Sequence, residues 1–185
     1  MSRLPDFDVS ALTPAQLRVY QTLLAGPRRS ADGPLRAWLL SPEFADRAQS
    51  LGLICRFGSS LAPRLSELAI LVVAAHWKSE FEWCGHSQIA LAAGLPSSVI
   101  EAIRVGVAPT FGKPDEAAVY AFARELLLQR AVTEATFEAA VEHVGKVGVV
   151  DLTGILGYYT LIAMTIAVFD IPPPPGCLDA FSATS

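Results

Sequence analysis

Apolar positions recur along this chain every three or four residues, the spacing of helices that bury one side. The clearest stripe, Ala118, Phe122 and Leu126, predicts a helix from Asp115 to Arg130. Upstream, Thr13-Pro14-Ala15-Gln16 combines a capping box with proline at the first helical position, which predicts a helix to about Ala25, ended by Gly26-Pro27. A short helix is expected from Pro34 to Leu40. Ser41-Pro42-Glu43 then opens another that reaches Phe57 before the break from Gly58 to Pro63. Beyond Gly94-Leu95-Pro96, Ser97 or Ser98 caps a helix up to Gly106, and Val107 to Pro114 is a loop. Thr133 starts a helix to about Val144. Val149 to Phe169 forms the last long helix, which Pro172 to Pro175 stop, leaving an extended tail to Ser185.

Between these elements lies the stretch from Glu67 to Gly94, in which aliphatic residues alternate with almost all of the chain's chemistry. If Lys78 and Ser79 form the turn of a helical hairpin, the segment opened by Glu67 returns alongside a second helix from Ser79 to Ala93. The expected architecture is all-α: a compact multi-helix bundle built around this central hairpin. One domain spans residues 1–185, with its core motif at 67–106 and a Pro-rich tail at 171–185.

Composition sharpens this picture in three ways. Hydrophobic residues make up 52% and charged residues 17% of the chain, high apolar content for a soluble monomer, so a homo-oligomer is expected. A net charge of −4 without a Lys/Arg run excludes nucleic acid and anionic membrane surfaces as expected partners. Leu152 to Phe169 is an uncharged run of eighteen, but its glycines, threonines and paired tyrosines point to a buried helix at a subunit contact rather than a membrane span. Cys55, Cys84 and Cys177 are too few and too scattered for a disulfide framework or a thiolate zinc site, and MSRLPDFDVS lacks the pattern of a signal peptide. A cytoplasmic setting is therefore expected.

Ionisable groups within an aliphatic run need partners, because an unpaired buried charge is costly. On a helix, Ser79, Glu82 and His86 share one stripe, so Glu82 and His86 meet, and the hairpin brings Glu67 over them. Cys84 lies about 200° around the helix from each and faces the other side. His76 and Glu80 are also four apart and, with His86, form a two-histidine, one-carboxylate metal set on paper, although the turn between them disturbs the spacing. His143 suits a helix-end cation, Lys78 a solvated turn, Arg64 a solvated helix end, and Tyr158 and Tyr159 core packing.

Glu67, the aliphatic run after it and E-F-E-W-C-G-H-S-Q-I-A-L-A-A-G-L resemble the core motif of the carboxymuconolactone decarboxylase and alkyl hydroperoxidase D superfamily. In its peroxidase branch a Glu is followed twelve residues on by Cys-x-x-Cys, then by a His four residues after the second Cys and a Gly eight further on. The corresponding positions are Glu67, Ser79, Glu82, His86 and Gly94, so the spacing is kept while both cysteines are absent. Acid at the second position, followed by Trp and then His, is similar to the decarboxylase branch, in which a carboxylate and a histidine move protons without a cofactor. The likeness is close over residues 67–106 and looser over 30–170.

The resemblance implies an alkyl hydroperoxidase D-like fold and a lyase of aromatic-compound breakdown. His86 is expected to act as general acid/base, Glu82 to orient it, and Glu67 to be a second buried carboxyl holding a proton because of its like-charged neighbour. Trp83, Cys84 and Arg56 are the candidates for contact with a small anionic lactone or carbonyl substrate. No cofactor and no metal are expected. Two alternatives stay open: a thiol-dependent hydroperoxide reductase using Cys84, which lacks a resolving cysteine nearby in sequence, and a non-catalytic small-molecule-binding oligomer.

Overall fold

Proline supplies most of the helix starts. A computed structural model describes residues 2–177 and 180–181, among which a 3-10 turn at Val9–Ala11 precedes eight α-helices. They are α1 (Pro14–Ala25), α2 (Pro34–Trp38), α3 (Pro42–Leu53), α4 (Pro63–Trp77), α5 (Glu80–Ala92), α6 (Ser97–Val105), α7 (Pro114–Gln129) and α8 (Glu134–Phe169). Five begin on proline, whose fixed φ suits the first turn and whose missing N–H has no intrahelical partner to lose there. At α1 the Thr13–Gln16 capping box closes in both directions. The fold is all-α, as the periodicity predicts.

α4 is the axis of the bundle. Its residues from Leu65 to Ala74 are all buried, on every side of the helix, because α5, α7 and α8 surround it. The hairpin turn falls at Lys78, which takes a left-handed conformation (φ 50°, ψ 40°) and lets the Ser79 N–H bond back to the Ala74 carbonyl at 2.8 Å. α5 then runs back along α4 and ends at Gly94 (φ 92°), where the Leu95 N–H reaches the Ala90 carbonyl at 3.0 Å.

Three elements depart from expectation. α2 stops at Trp38, whose buried indole N–H donates to Thr165 Oγ1 of α8 at 2.9 Å; the chain continues in tight turns to Ser41. The helix expected to reach Phe57 is α-helical only to Leu53 and then widens into a π-helical segment, Ile54–Gly58, that carries Arg56. α8 is two helical stretches that meet at a kink at Gly145 (φ 71°, ψ 169°), the break expected after Val144, but the second stretch follows directly and does not wait for Val149. By length and composition α8 is apolar enough to cross a membrane. In the bundle, its Leu152, Ile155, Leu156 and Ile162 are core residues, and its Asp151 accepts the Ser60 N–H and hydroxyl at 2.7 and 2.6 Å.

The last segment corrects two expectations. The tail is not simply extended: after Pro172–Pro174 it turns at Pro175-Gly176 and folds back over α5, where Cys177 is joined to Cys84. Their Cα atoms are 5.6 Å apart, within the range a disulfide spans. The cysteines looked scattered because 93 residues separate the pair, and only the return of the tail brings them together. Residues 178–179 and 182–185 of the predicted tail lie outside the described ones.

Arg64 is not a solvated helix end either. It pairs with Asp115, and its Nε lies 3.1 Å from Glu116 Oε1, a carboxylate only 1% exposed that Lys113 also approaches at 3.6 Å. This cluster ties the start of α4 to the start of α7.

Candidate active site

Glu67 sits one turn into α4 and Glu82 and His86 lie on one face of α5, so the hairpin brings all three together as the spacing predicts. His86 Nδ1 donates to Glu67 Oε2 at 2.6 Å, and Nε2 lies 3.4 Å from Glu82 Oε2. All three side chains are buried. The Tyr159 ring stands edge-on to the imidazole, with centroids 5.0 Å apart.

Burial alone pulls the His86 pKa down, but the hydrogen bonds and charges of Glu67 and Glu82 outweigh it and hold the imidazole up at about 9. His86 is therefore an imidazolium at neutral pH, rather than a base poised near 6.5. Glu67 Oε2 occupies the acceptor's position opposite the Nδ1 proton.

The array contributes to the linings of two cavities. Glu82 and His86 line one of about 200 Å³, together with Arg28, Arg56, Tyr159 and Ile89. Glu67 lines the other, of about 260 Å³, beside Ser66 and Phe57; Arg56 and Ile89 border both. In the first cavity two polar atoms are buried without a partner: Tyr159 Oη and Arg28 Nε. The remainder of the Arg28 guanidinium is engaged, since Nη2 donates to Tyr158 Oη at 3.1 Å. Burial, followed by the Glu82 charge, pushes the Tyr159 phenol far up, so it is a neutral donor.

Of the residues expected to contact substrate, Arg56 reaches the cavity. Trp83 and Cys84 do not line it: Trp83 packs edge-on against Phe181 of the tail, with centroids 5.1 Å apart, and Cys84 is bonded to Cys177. The His76, Glu80 and His86 set is dispersed. Glu80 accepts two tail N–H groups, His76 lines a different cavity, and no three His, Cys, Asp or Glu side chains among the described residues are arranged to hold a metal ion. Sequence reasoning missed Arg28 and assigned Tyr159 to packing alone. Arg28 lies in a loop without periodicity, and nothing in its surroundings singles it out.

A helical bundle whose central hairpin carries this array has the fold of alkylhydroperoxidase AhpD cores. A peroxidase-related protein from Ralstonia eutropha JMP134 of that description superposes with a TM-score of 0.73 at 16% identity, covering 97% of this chain and 94% of the other. A peroxidase-related protein from Silicibacter sp. TM1040 is similar in fold to the same degree: TM-score 0.73, 15% identity, 98% and 96% coverage. No curated protein matches the sequence. Residues 42–125 match the model of the Carboxymuconolactone decarboxylase family.

Proposed function

We propose that this protein is a cofactor-independent, decarboxylase-like enzyme acting on a small anionic lactone or carbonyl compound, with His86 as general acid. The observation that carries this is an imidazolium held between two buried carboxylates, facing a cavity whose cations, Arg28 and Arg56, can receive negative charge. In such a reaction the carbon–carbon bond to the carboxylate breaks, carbon dioxide leaves, and the electron pair moves into the adjacent carbonyl as an enolate. Tyr159 Oη and Arg28 Nε, already desolvated and unpaired, are placed to hold that oxygen. His86 then delivers its Nε2 proton to carbon, from the nitrogen whose bond to Glu82 is the longer one. Glu82 keeps the ring oriented, Glu67 holds the Nδ1 proton in place, and Nε2 regains its proton from water entering the cavity once the product has left. One proton is consumed and one carbon dioxide formed per turnover.

The test is carbon dioxide release from a panel of carboxylated lactones and β-keto acids. Release from at least one is expected, and a panel without any active member sinks the proposal. Its pH dependence has a definite sign. Because the acid form is required, kcat/KM should hold through neutrality and fall about tenfold per pH unit above about 9. Folding stability follows the same direction: the raised pKa contributes stability below the unfolded value of 6.5 and loses it as pH rises through about 9. A pH–rate profile that rises between pH 6 and 8 contradicts an imidazolium donor.

A second reading keeps one specific observation in its favour. Cys177 supplies the resolving partner that Cys84 lacked in sequence, so a hydroperoxide could be reduced to alcohol and water as the two thiols join. Cys84→Ser separates the two readings. It should leave carbon dioxide release within about twofold of wild type, since Cys84 is outside the cavity; loss of turnover, together with peroxide consumption by the wild type, favours the thiol reaction.

Self-association belongs to the same proposal. Val147, Val150, Met164 and Val168 are exposed on α8, an apolar face suited to a second copy in a trimer or hexamer. A cytoplasmic setting and the absence of nucleic-acid or membrane partners likewise remain proposals, resting on charge and composition.

A further inference from the structure

Among the described residues, the C-terminal segment meets the bundle through residues of α5 and α6. Glu80 accepts the Ala180 and Phe181 N–H groups at 2.8 Å each. Arg104 Nη1 donates to the Ala180 carbonyl at 2.6 Å, and the Phe181 ring meets Trp83. Ala180 and Phe181 also form part of the boundary of a cavity of about 380 Å³, whose other lining includes His76, Lys78, Arg104 and Arg124. Between Ile171, where the chain leaves the core, and these contacts stands the Cys84–Cys177 bond.

We propose that Cys84 and Cys177 are a reversible redox pair whose disulfide straps the C-terminal segment over α5 and closes one side of this basic cavity, and that a dithiol reductant opens it. Both cysteines are only partly buried, so a thiolate from solution can reach the bond. Cys55 makes the contrast. It is 4% exposed, and burial, with the Asp151 charge next in effect, raises its thiol pKa, which leaves it inert.

Opening is a thiol–disulfide exchange. One thiolate of the dithiol attacks a sulfur of the pair and displaces the other as a thiolate, which takes up a proton. The second thiol of the reagent then attacks the mixed disulfide and releases the remaining cysteine. The reductant ends as a disulfide, and the protein gains two electrons and two protons. Once the bond is cut, the described part of the segment keeps its contacts with Glu80, Arg104 and Trp83 but not its covalent tether, and its effective concentration at the cavity falls.

The experiment uses the full chain treated with either diamide or dithiothreitol, then alkylated and mass-mapped. After oxidation a Cys84–Cys177 linkage is expected, with Cys55 the single free thiol; after reduction three thiols should be labelled. Chymotryptic cleavage after Phe181, followed by the mass loss of residues 182–185, reports the strap. It should be slower in the oxidised protein by on the order of tenfold, and Cys177→Ser under oxidising conditions should be cleaved as fast as reduced wild type. Three free thiols after diamide, equal cleavage rates in the two states, or a slow rate in Cys177→Ser each overturn the proposal. None of these readouts depends on carbon dioxide release, so the strap and the decarboxylase reading fail independently.

Discussion

His86→Gln is expected to lower kcat for carbon dioxide release by 10²- to 10⁴-fold, the range in which a positioned general acid contributes. Glutamine keeps much of the bulk and can still donate a hydrogen bond to Glu67 or Glu82, but it has no proton to give to carbon. In the proposed reaction substrate binding rests on Arg28, Arg56 and Tyr159, so KM should move far less than kcat, the pattern of an interaction made chiefly in the transition state. The folded state also loses an imidazolium between two buried carboxylates, leaving Glu67 and Glu82 facing each other across a neutral amide. Circular dichroism and a denaturation midpoint measured on the same sample therefore belong with the rate measurement. Loss of carbon dioxide release with the fold retained assigns the acid to His86; turnover within tenfold of wild type means that the proton comes from elsewhere.

What the sequence discloses here depends on distance along the chain. Glu82 and His86 are one helical turn apart, and Glu67 reaches them across a hairpin whose turn is marked by Lys78-Ser79, so local periodicity and the motif spacing locate all three. The helix starts were legible for the same reason, since capping boxes and N-terminal prolines are local chemistry. Contacts made by distant segments were not. Arg28 meets Tyr158 across 130 positions and Cys84 meets Cys177 across 93, and no local rule connects either pair. The protonation of His86 escaped for a different cause: it is the balance of burial against two carboxylates, and that balance needs the distances, not just the residue types.

Arg64→Met should destabilise the protein by about 3 kcal/mol or more, the largest single loss expected outside the hydrophobic core. Arg64 is the counterion of Asp115 and of Glu116, and Glu116 is sealed from water. Lys113, at 3.6 Å and half exposed, cannot replace a guanidinium that meets both carboxylates. The cost arises mainly from the carboxylate left behind. In a Glu116→Gln background the same substitution should consequently cost clearly less, and urea denaturation of the four proteins measures the difference as a coupling energy. Equal costs in both backgrounds mean that Arg64 acts through packing of its stem rather than through its charge. The cluster lies at the starts of α4 and α7, so loosening it reaches Glu67 through α4, and a smaller fall in turnover is expected alongside the change in stability.

The placement of Glu67 and Glu82 in the linings of two different cavities has a kinetic consequence. In the proposed reaction, a molecule filling the 260 Å³ cavity meets Glu67, the partner of the Nδ1 side of His86, and shares only Arg56 and Ile89 with the substrate's cavity. Such an inhibitor should lower the maximal rate more than it weakens substrate binding, whereas a substrate mimic in the 200 Å³ cavity competes directly. Two chemically unrelated inhibitor series, able to bind at once, are thus accessible on a single histidine.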